Sequence, residues 1–164
     1  FVGANISGLY LKPNSIVRSA NFSSTDFRTV RIGRLRHDYW AWRVEIDDSE
    51  AASTVASPDF GGAIFAQTNF AGKTLSYLHF ASAKFTGANL AGTNLTSSDF
   101  SSADFTNADL TGANLSSANL TGANLTGANL SGANLGGANL TNVTGTPSRL
   151  PDGYSMVDGH LTRN

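Results

Sequence analysis

Residues 111–140 read TGANLSSANLTGANLTGANLSGANLGGANL, six consecutive copies of one five-residue phrase. Outward from this stretch, a large apolar residue stands at every fifth position from Phe60 to Leu140 without a slip, seventeen in all. Two residues before most of them is Ala, and one before is Asn or Asp. A period of five matches neither the 3.6 of a helix nor the 2.0 of a strand. An internal repeat of fixed length decides architecture before any local propensity does.

The chain must turn a corner after each unit. The apolar residue and the small residue two before it share one side, as alternate residues of an extended segment do. Leu130 and Ala128 therefore point inward and Asn129 outward. The two remaining positions carry Thr or Ser and then mostly Gly, as at Gly112, Gly122 and Gly132. Gly tolerates the positive φ of a tight corner, and Asn or Asp favours turns by bonding to nearby backbone. A closed coil with a narrow apolar axis satisfies all five positions together.

The phrase A-(N/D)-(L/F)-(S/T)-x resembles the pentapeptide-repeat family, densely over 58–142 and loosely over 1–32. The resemblance implies an all-β fold: a right-handed, four-sided β-helix with four pentapeptides per coil and roughly six coils here. Residues twenty apart then stack about 4.8 Å apart. Asn94, Asn114 and Asn134 form one expected column, bonding amide to amide. Thr86, Thr106 and Thr126 form another. His79 is expected against Asp99 and Lys84 against Asp104, as exposed pairs worth at most about 1 kcal/mol each. Lys73 and Leu78 are oversized for inward small-residue sites. The expectation is a distorted coil between Phe70 and Phe80, with Lys73 snorkelling out.

The flanks divide a single domain into four parts. Residues 1–32 are degenerate coils, with one extra residue shifting the register as a bulge near Ser19. Residues 33–57 (GRLRHDYWAWRVEIDDSEAASTVAS) break the repeat as a loop or hairpin. Residues 58–142 are the regular array. Residues 143–164 form a C-terminal cap, with turn signals at Asp152-Gly153 and Asp158-Gly159, Arg149-Leu150 as one last side, and Tyr154, Met156 and Val157 covering the last coil. The N-terminal end carries no cap in its sequence. The chain is expected to begin earlier than Phe1, or a partner covers that end through an end-to-end or edge contact.

Composition narrows the function. The formal net charge is −1 over 164 residues, so no whole-protein field attracts nucleic acid or an anionic membrane. There are no cysteines, which excludes disulfides, thiol catalysis and cysteine-ligated zinc and leaves the compartment open. No apolar run reaches the length of a membrane span. His37, His79 and His160 fall in no metal-ligand spacing, and no nucleophile, base and orienter come together. No enzyme, metal or cofactor is expected.

The insertion is where recognition is expected. It holds both tryptophans, and its candidate partner-binding residues are Tyr39, Trp40, Trp42, Arg34, Arg36 and Arg43. Trp, Tyr and Arg dominate binding hot spots. The bland alternative is that Trp40 and Trp42 pack on the outside of the coils while the charges solvate the loop. Nucleic-acid binding by its arginines is opposed by five nearby acids, Asp38, Glu45, Asp47, Asp48 and Glu50. The expected role is a non-catalytic scaffold or subunit that presents the insertion to a protein partner. Some family members mimic DNA and bind type II topoisomerases through an acidic surface. This chain departs from them, since Asp99, Asp104 and Asp109 are, besides Asp59 at its start, the only acidic residues in its regular array. A third alternative is an ice- or polysaccharide-binding surface built from the Thr and Ser columns.

Overall fold

The unit Asn89–Thr93 shows how five residues close on themselves. All five of its N–H groups are bonded. Asn89 donates to Thr68 O of the preceding coil at 2.9 Å. Leu90 and Gly92 donate to Asp109 O and Thr111 O of the following coil at 2.7 and 2.8 Å. Thr93 N–H closes the corner on Leu90 O at 3.1 Å. The fifth, Ala91 N–H, bonds to Asn89 Oδ1 at 3.0 Å. The Asn or Asp of each phrase is thus the acceptor for the one backbone donor that the coils leave over, and buried donors must be paired. The second corner residue takes a positive φ, 63° at Gly92, where Gly is favoured.

The computed structural model describes residues 18–24 and 59–164 in full. It also describes the backbone of β1 (Tyr10–Leu11), β2 (Arg31–Ile32), β3 (Arg34–Asp38) and β4 (Ala41–Glu45). From Asp59 onward each middle residue forms a parallel bridge with the residue twenty further on: Asp59 with His79, His79 with Asp99, Asp99 with Asn119. A corner every five residues and a repeat of twenty make each coil four-sided.

The central and small residues fill the axis. Phe65, Phe85, Leu95, Leu110 and Leu130 have no exposed surface, nor do Ala83, Ala103 and Ala128. Burial of each large side chain is worth roughly 1.5–3 kcal/mol. Two aromatic columns run up the first coils. Phe60, Phe80 and Phe100 stack at 5.1 Å, and Phe65, Phe85 and Phe105 do likewise. The columns meet edge to face, as Phe80 and Phe85 do at 5.4 Å, the arrangement ring quadrupoles favour. Above Phe105 the core continues in Leu.

One coil differs in length. Asn21 pairs with Ile64, 43 residues away rather than 20, so this coil holds 23 more residues than its neighbours. Phe22 stacks on Phe65 at 5.3 Å, and Thr68 Oγ1 donates to Phe22 O at 2.6 Å, which keeps the axis continuous across the excess. Within the excess, β3 and β4 pair antiparallel. Further toward the N-terminus, β1 pairs with β2 at a spacing of 21, one more than a regular coil. The extra residue does not fall at Ser19. Arg18–Ser19 is an ordinary corner, with Ser19 at φ 55° and its N–H bonded to Gly61 O.

The bridges continue past 142, through Asn124 with Thr144 and Asn129 with Arg149. The chain then turns into a hairpin, β5 (Tyr154–Val157) and β6 (His160–Arg163), joined by Asp158-Gly159. Both turn residues have positive φ, as a two-residue hairpin turn requires. The residue that closes the core is Leu161, 6 % exposed, with Tyr154 and Met156 packed against it. Val157, expected to cover the core, is 50 % exposed. Met156 pairs with Leu161 and Val157 with His160, and neighbours along a strand face opposite ways.

The expected distortion between Phe70 and Phe80 is confined to one turn. Thr74 and His79 keep their bridges, and Lys73 N–H keeps its bond to Phe70 O. Only Leu78 departs, donating to Ser98 Oγ at 3.1 Å. Lys73 is 9 % exposed as a whole residue, so most of the side chain lies inside this small-residue site.

Candidate interaction surface

The hairpin places the candidate residues in register. Arg34 stands opposite Glu45, Arg36 opposite Arg43, and His37 opposite Trp42. Arg34 and Arg36 lie on β3, and Trp42 and Arg43 on β4. Tyr39 and Trp40 lie outside the described residues, as do the side chains of the other four. Residues 1–9, where an N-terminal contact was expected, also lie outside them.

On the solenoid the outward side chains are largely occupied with one another. Asn124 Oδ1 accepts from Thr126 N–H and from Thr126 Oγ1 at 2.6 Å, while its Nδ2 donates to Thr106 Oγ1 at 2.9 Å. Thr106 Oγ1 in turn donates to Asp104 Oδ1 at 2.6 Å, and Thr86 Oγ1 to Asp104 Oδ2 at 3.2 Å. The Thr86, Thr106 and Thr126 hydroxyl hydrogens are therefore directed to neighbouring Asn and Asp rather than outward. In the Asn94, Asn114, Asn134 column the one amide-to-amide bond is Asn134 Nδ2 to Asn114 Oδ1 at 3.3 Å. The expected ladder gives way to the corner bonds, which claim the same oxygens.

His79 bridges Asp99 and Lys84 bridges Asp104 along the backbone, but neither forms an ion pair. Asp99 Oδ1 accepts from Ser101 N–H and Asn119 Nδ2 instead. Among the described residues the one ion pair is Arg18–Asp59, at 2.7 Å. Sequence reasoning missed it, because the partners are separated by the insertion and no period links them. It borders a shallow recess of about 330 Å³ that Gly61, His79, Ser82 and Asp99 also line.

Two carboxyls are perturbed. Partial burial pushes Asp59 up, but the Arg18 hydrogen bond, the Gly61 N–H and the Arg18 charge outweigh it and hold the group below the ordinary 3.8. Burial likewise pushes Asp104 up. The Thr106 hydroxyl and N–H, the Thr86 hydroxyl and the Lys84 charge outweigh it and hold that carboxyl below 3.8 as well.

The columns carry no continuous charge: one reads Asp59, His79, Asp99, Asn119, Asn139, and the next Ile64, Lys84, Asp104, Asn124, Thr144. Among the described residues no group of three or more His, Asp or Glu could hold a metal ion. Among them, too, no helix is long and apolar enough to cross a membrane.

The model of pentapeptide repeats matches residues 59–90, 75–112 and 108–144, the same stretch that forms the bridged coils. The chain belongs to the pentapeptide-repeat family. Its solved structural relatives are pentapeptide-repeat proteins, known as right-handed quadrilateral β-helices. One is Rfr23 of the cyanobacterium Cyanothece 51142, 24% identical with a TM-score of 0.58, over 87% of this chain and 91% of that one. Another is a pentapeptide-repeat protein of the Arabidopsis thaliana thylakoid lumen, 32% identical with a TM-score of 0.53, over 63% of this chain and 68% of that one. No curated protein matches the sequence significantly. Proteins of the pentapeptide-repeat family are in general structural or interaction proteins rather than enzymes.

Proposed function

We propose that this pentapeptide-repeat protein is a non-catalytic interaction module. In this reading a right-handed, four-sided solenoid, with residues 143–164 as its cap, presents the insertion of residues 33–57 to a protein partner. Tyr39, Trp40, Trp42, Arg34, Arg36 and Arg43 make the contact. The observation that carries the reading is a contrast within the molecule. The regular coils bond their outward Asn, Asp and Thr to one another, whereas a single coil holds 23 extra residues rich in Trp and Arg. Ordered coils lose little entropy on binding, so a loop displayed on them binds at reduced cost.

The alternatives fit less well. A nucleic-acid mimic needs a continuous acidic face, and the columns interrupt Asp with His, Lys and Asn. An ice or polysaccharide binder needs hydroxyls free to donate outward, and those of Thr106 and Thr126 donate within the protein.

The test is a pull-down from the native source with the wild type and a variant carrying Tyr39, Trp40, Trp42 and Arg43 changed to Ala. Circular dichroism confirms that both fold. Capture by the wild type and loss in the variant is the expected result. Equal capture by both sinks the insertion as recognition site.

A further inference from the structure

The cap closes the core but not the backbone ladder. On the face that carries Asn94, Asn114 and Asn134, each coil holds the next through three groups. Ala113 O accepts from Asn134 N–H at 2.9 Å, Leu115 N–H donates to Asn134 O at 2.8 Å, and Ser117 N–H donates to Gly136 O at 2.9 Å. One coil higher the same three groups are Ala133 O, Leu135 N–H and Gly137 N–H. None of them has a partner among the described residues. The residue due to meet them is Tyr154, twenty beyond Asn134. Its N–H bonds to Pro151 O instead, and the chain leaves the coil there as β5, which pairs with β6 alone. Tyr154 reaches back only through its side chain, its hydroxyl donating to Leu135 O at 3.3 Å.

The three groups border a formed slot. A recess of about 340 Å³ lies between the coil edge and the cap, lined by Asn134, Leu135 and Gly136 on one side and by Asp152, Tyr154 and Arg163 on the other. Leu135 is 2 % exposed, so its N–H is a nearly buried donor without an acceptor, which is costly to leave unmade. Gly136–Gly137 stands where Thr96–Ser97 and Ser116–Ser117 stand in the coils below, so the corner that borders the slot carries no side chain.

We propose that this slot binds an extended segment of a protein partner by strand addition, continuing the ladder of this face by one rung. Exposed sheet edges take peptides in this way, with main-chain bonds supplying affinity. The pairing one coil below defines the segment. One residue supplies its N–H to Ala133 O and its C=O to Leu135 N–H. The residue two further on supplies its C=O to Gly137 N–H. The residue between them points to the axis, as Leu135 does below. Leu161 already closes the axis, with Tyr154 packed against it, so that residue is Gly or Ala. The slot stands apart from the insertion at 33–57 and does not rest on the function proposed above.

The test uses the wild-type full chain, labelled with 15N. Leu135 and Gly137 amides are expected to exchange about tenfold or more faster than those of Leu115 and Ser117, their paired equivalents. Equal exchange would show the two donors already bonded within the chain and overturns the slot. The probe is acetyl-Ala-Asn-Ala-Ser-Gly-amide, the repeat phrase with Ala at the inward position. Titration is expected to give saturable downfield shifts of the Leu135 and Gly137 amide protons and to slow their exchange. The same peptide N-methylated at Asn cannot donate to Ala133 O, and the same peptide with Leu at the inward position meets the closed axis. Each is expected to bind about tenfold more weakly, the loss of one net hydrogen bond or its equivalent. Lack of saturation, saturable shifts elsewhere, or equal binding of the N-methylated peptide overturns the proposal. Shifts of the same two amides that grow with protein concentration in the absence of peptide assign the edge to a second copy of the chain and also overturn it. The titration is expected to survive in the variant with Tyr39, Trp40, Trp42 and Arg43 changed to Ala, so failure of the pull-down and failure of the slot are separate results.

Discussion

At the scale of the residue, the recurrent Asn or Asp is the economical solution to one unsatisfied N–H per unit. Asn124 makes four hydrogen bonds through its side chain. Asn124→Ala is expected to cost about 1–2 kcal/mol, the worth of one or two net hydrogen bonds, read as a lower thermal midpoint. Asp104 sets an acid limit. Its folded pKa lies below its ordinary 3.8, so the folded state binds this proton less readily than the unfolded state. The stability it contributes is complete above 3.8 and is lost as pH falls through the lower, folded value. Asp59 acts in the same direction through Arg18. Acid titration of the wild type should therefore show stability falling below 3.8, and Asp104→Asn should flatten part of that fall. The turn-forming role of these residues was legible in the sequence. Their claim on the oxygens that an amide ladder or an ion pair would have used was not, because it depends on side-chain direction at the corner.

At the scale of the element, the unit of stability is a pair of neighbouring coils rather than a single coil. Phe85 is fully buried, with stacked rings at 5.1 Å on both sides. Phe85→Ala should cost roughly 3–5 kcal/mol. Chemical denaturation should place the loss in the aromatic coils, with amide exchange accelerated around Phe65–Phe105 before the Leu coils. The seventeen inward positions were readable without error, since each is confirmed by its neighbours five residues away. The terminal hairpin was readable as turns, but not as to which residue closes the core. In a lone hairpin Val157 and Leu161 are both plausible, and only the pairing of Met156 with Leu161 decides between them.

At the scale of the whole molecule, the coils form a continuous axis interrupted in sequence but not in space. Removing the 23 residues by which one coil exceeds the others should preserve the coils' circular dichroism and most of their thermal stability, abolish tryptophan emission and end partner capture. Loss of the fold on this deletion would show that the insertion is part of the core. The repeat, the identity of the inward residues and the break in the repeat at 33–57 were determined by the sequence by itself, because a period repeated seventeen times leaves a closed coil with one side turned to the core; four sides to a coil were implied by the family resemblance and shown by the bridges twenty residues apart. Only the tertiary structure decided that Asn21 meets Ile64 across the break, that Arg18 pairs with Asp59 and that Leu161 closes the far end. Each of these depends on contact between segments of unrelated sequence, and periodicity carries no information about such contacts.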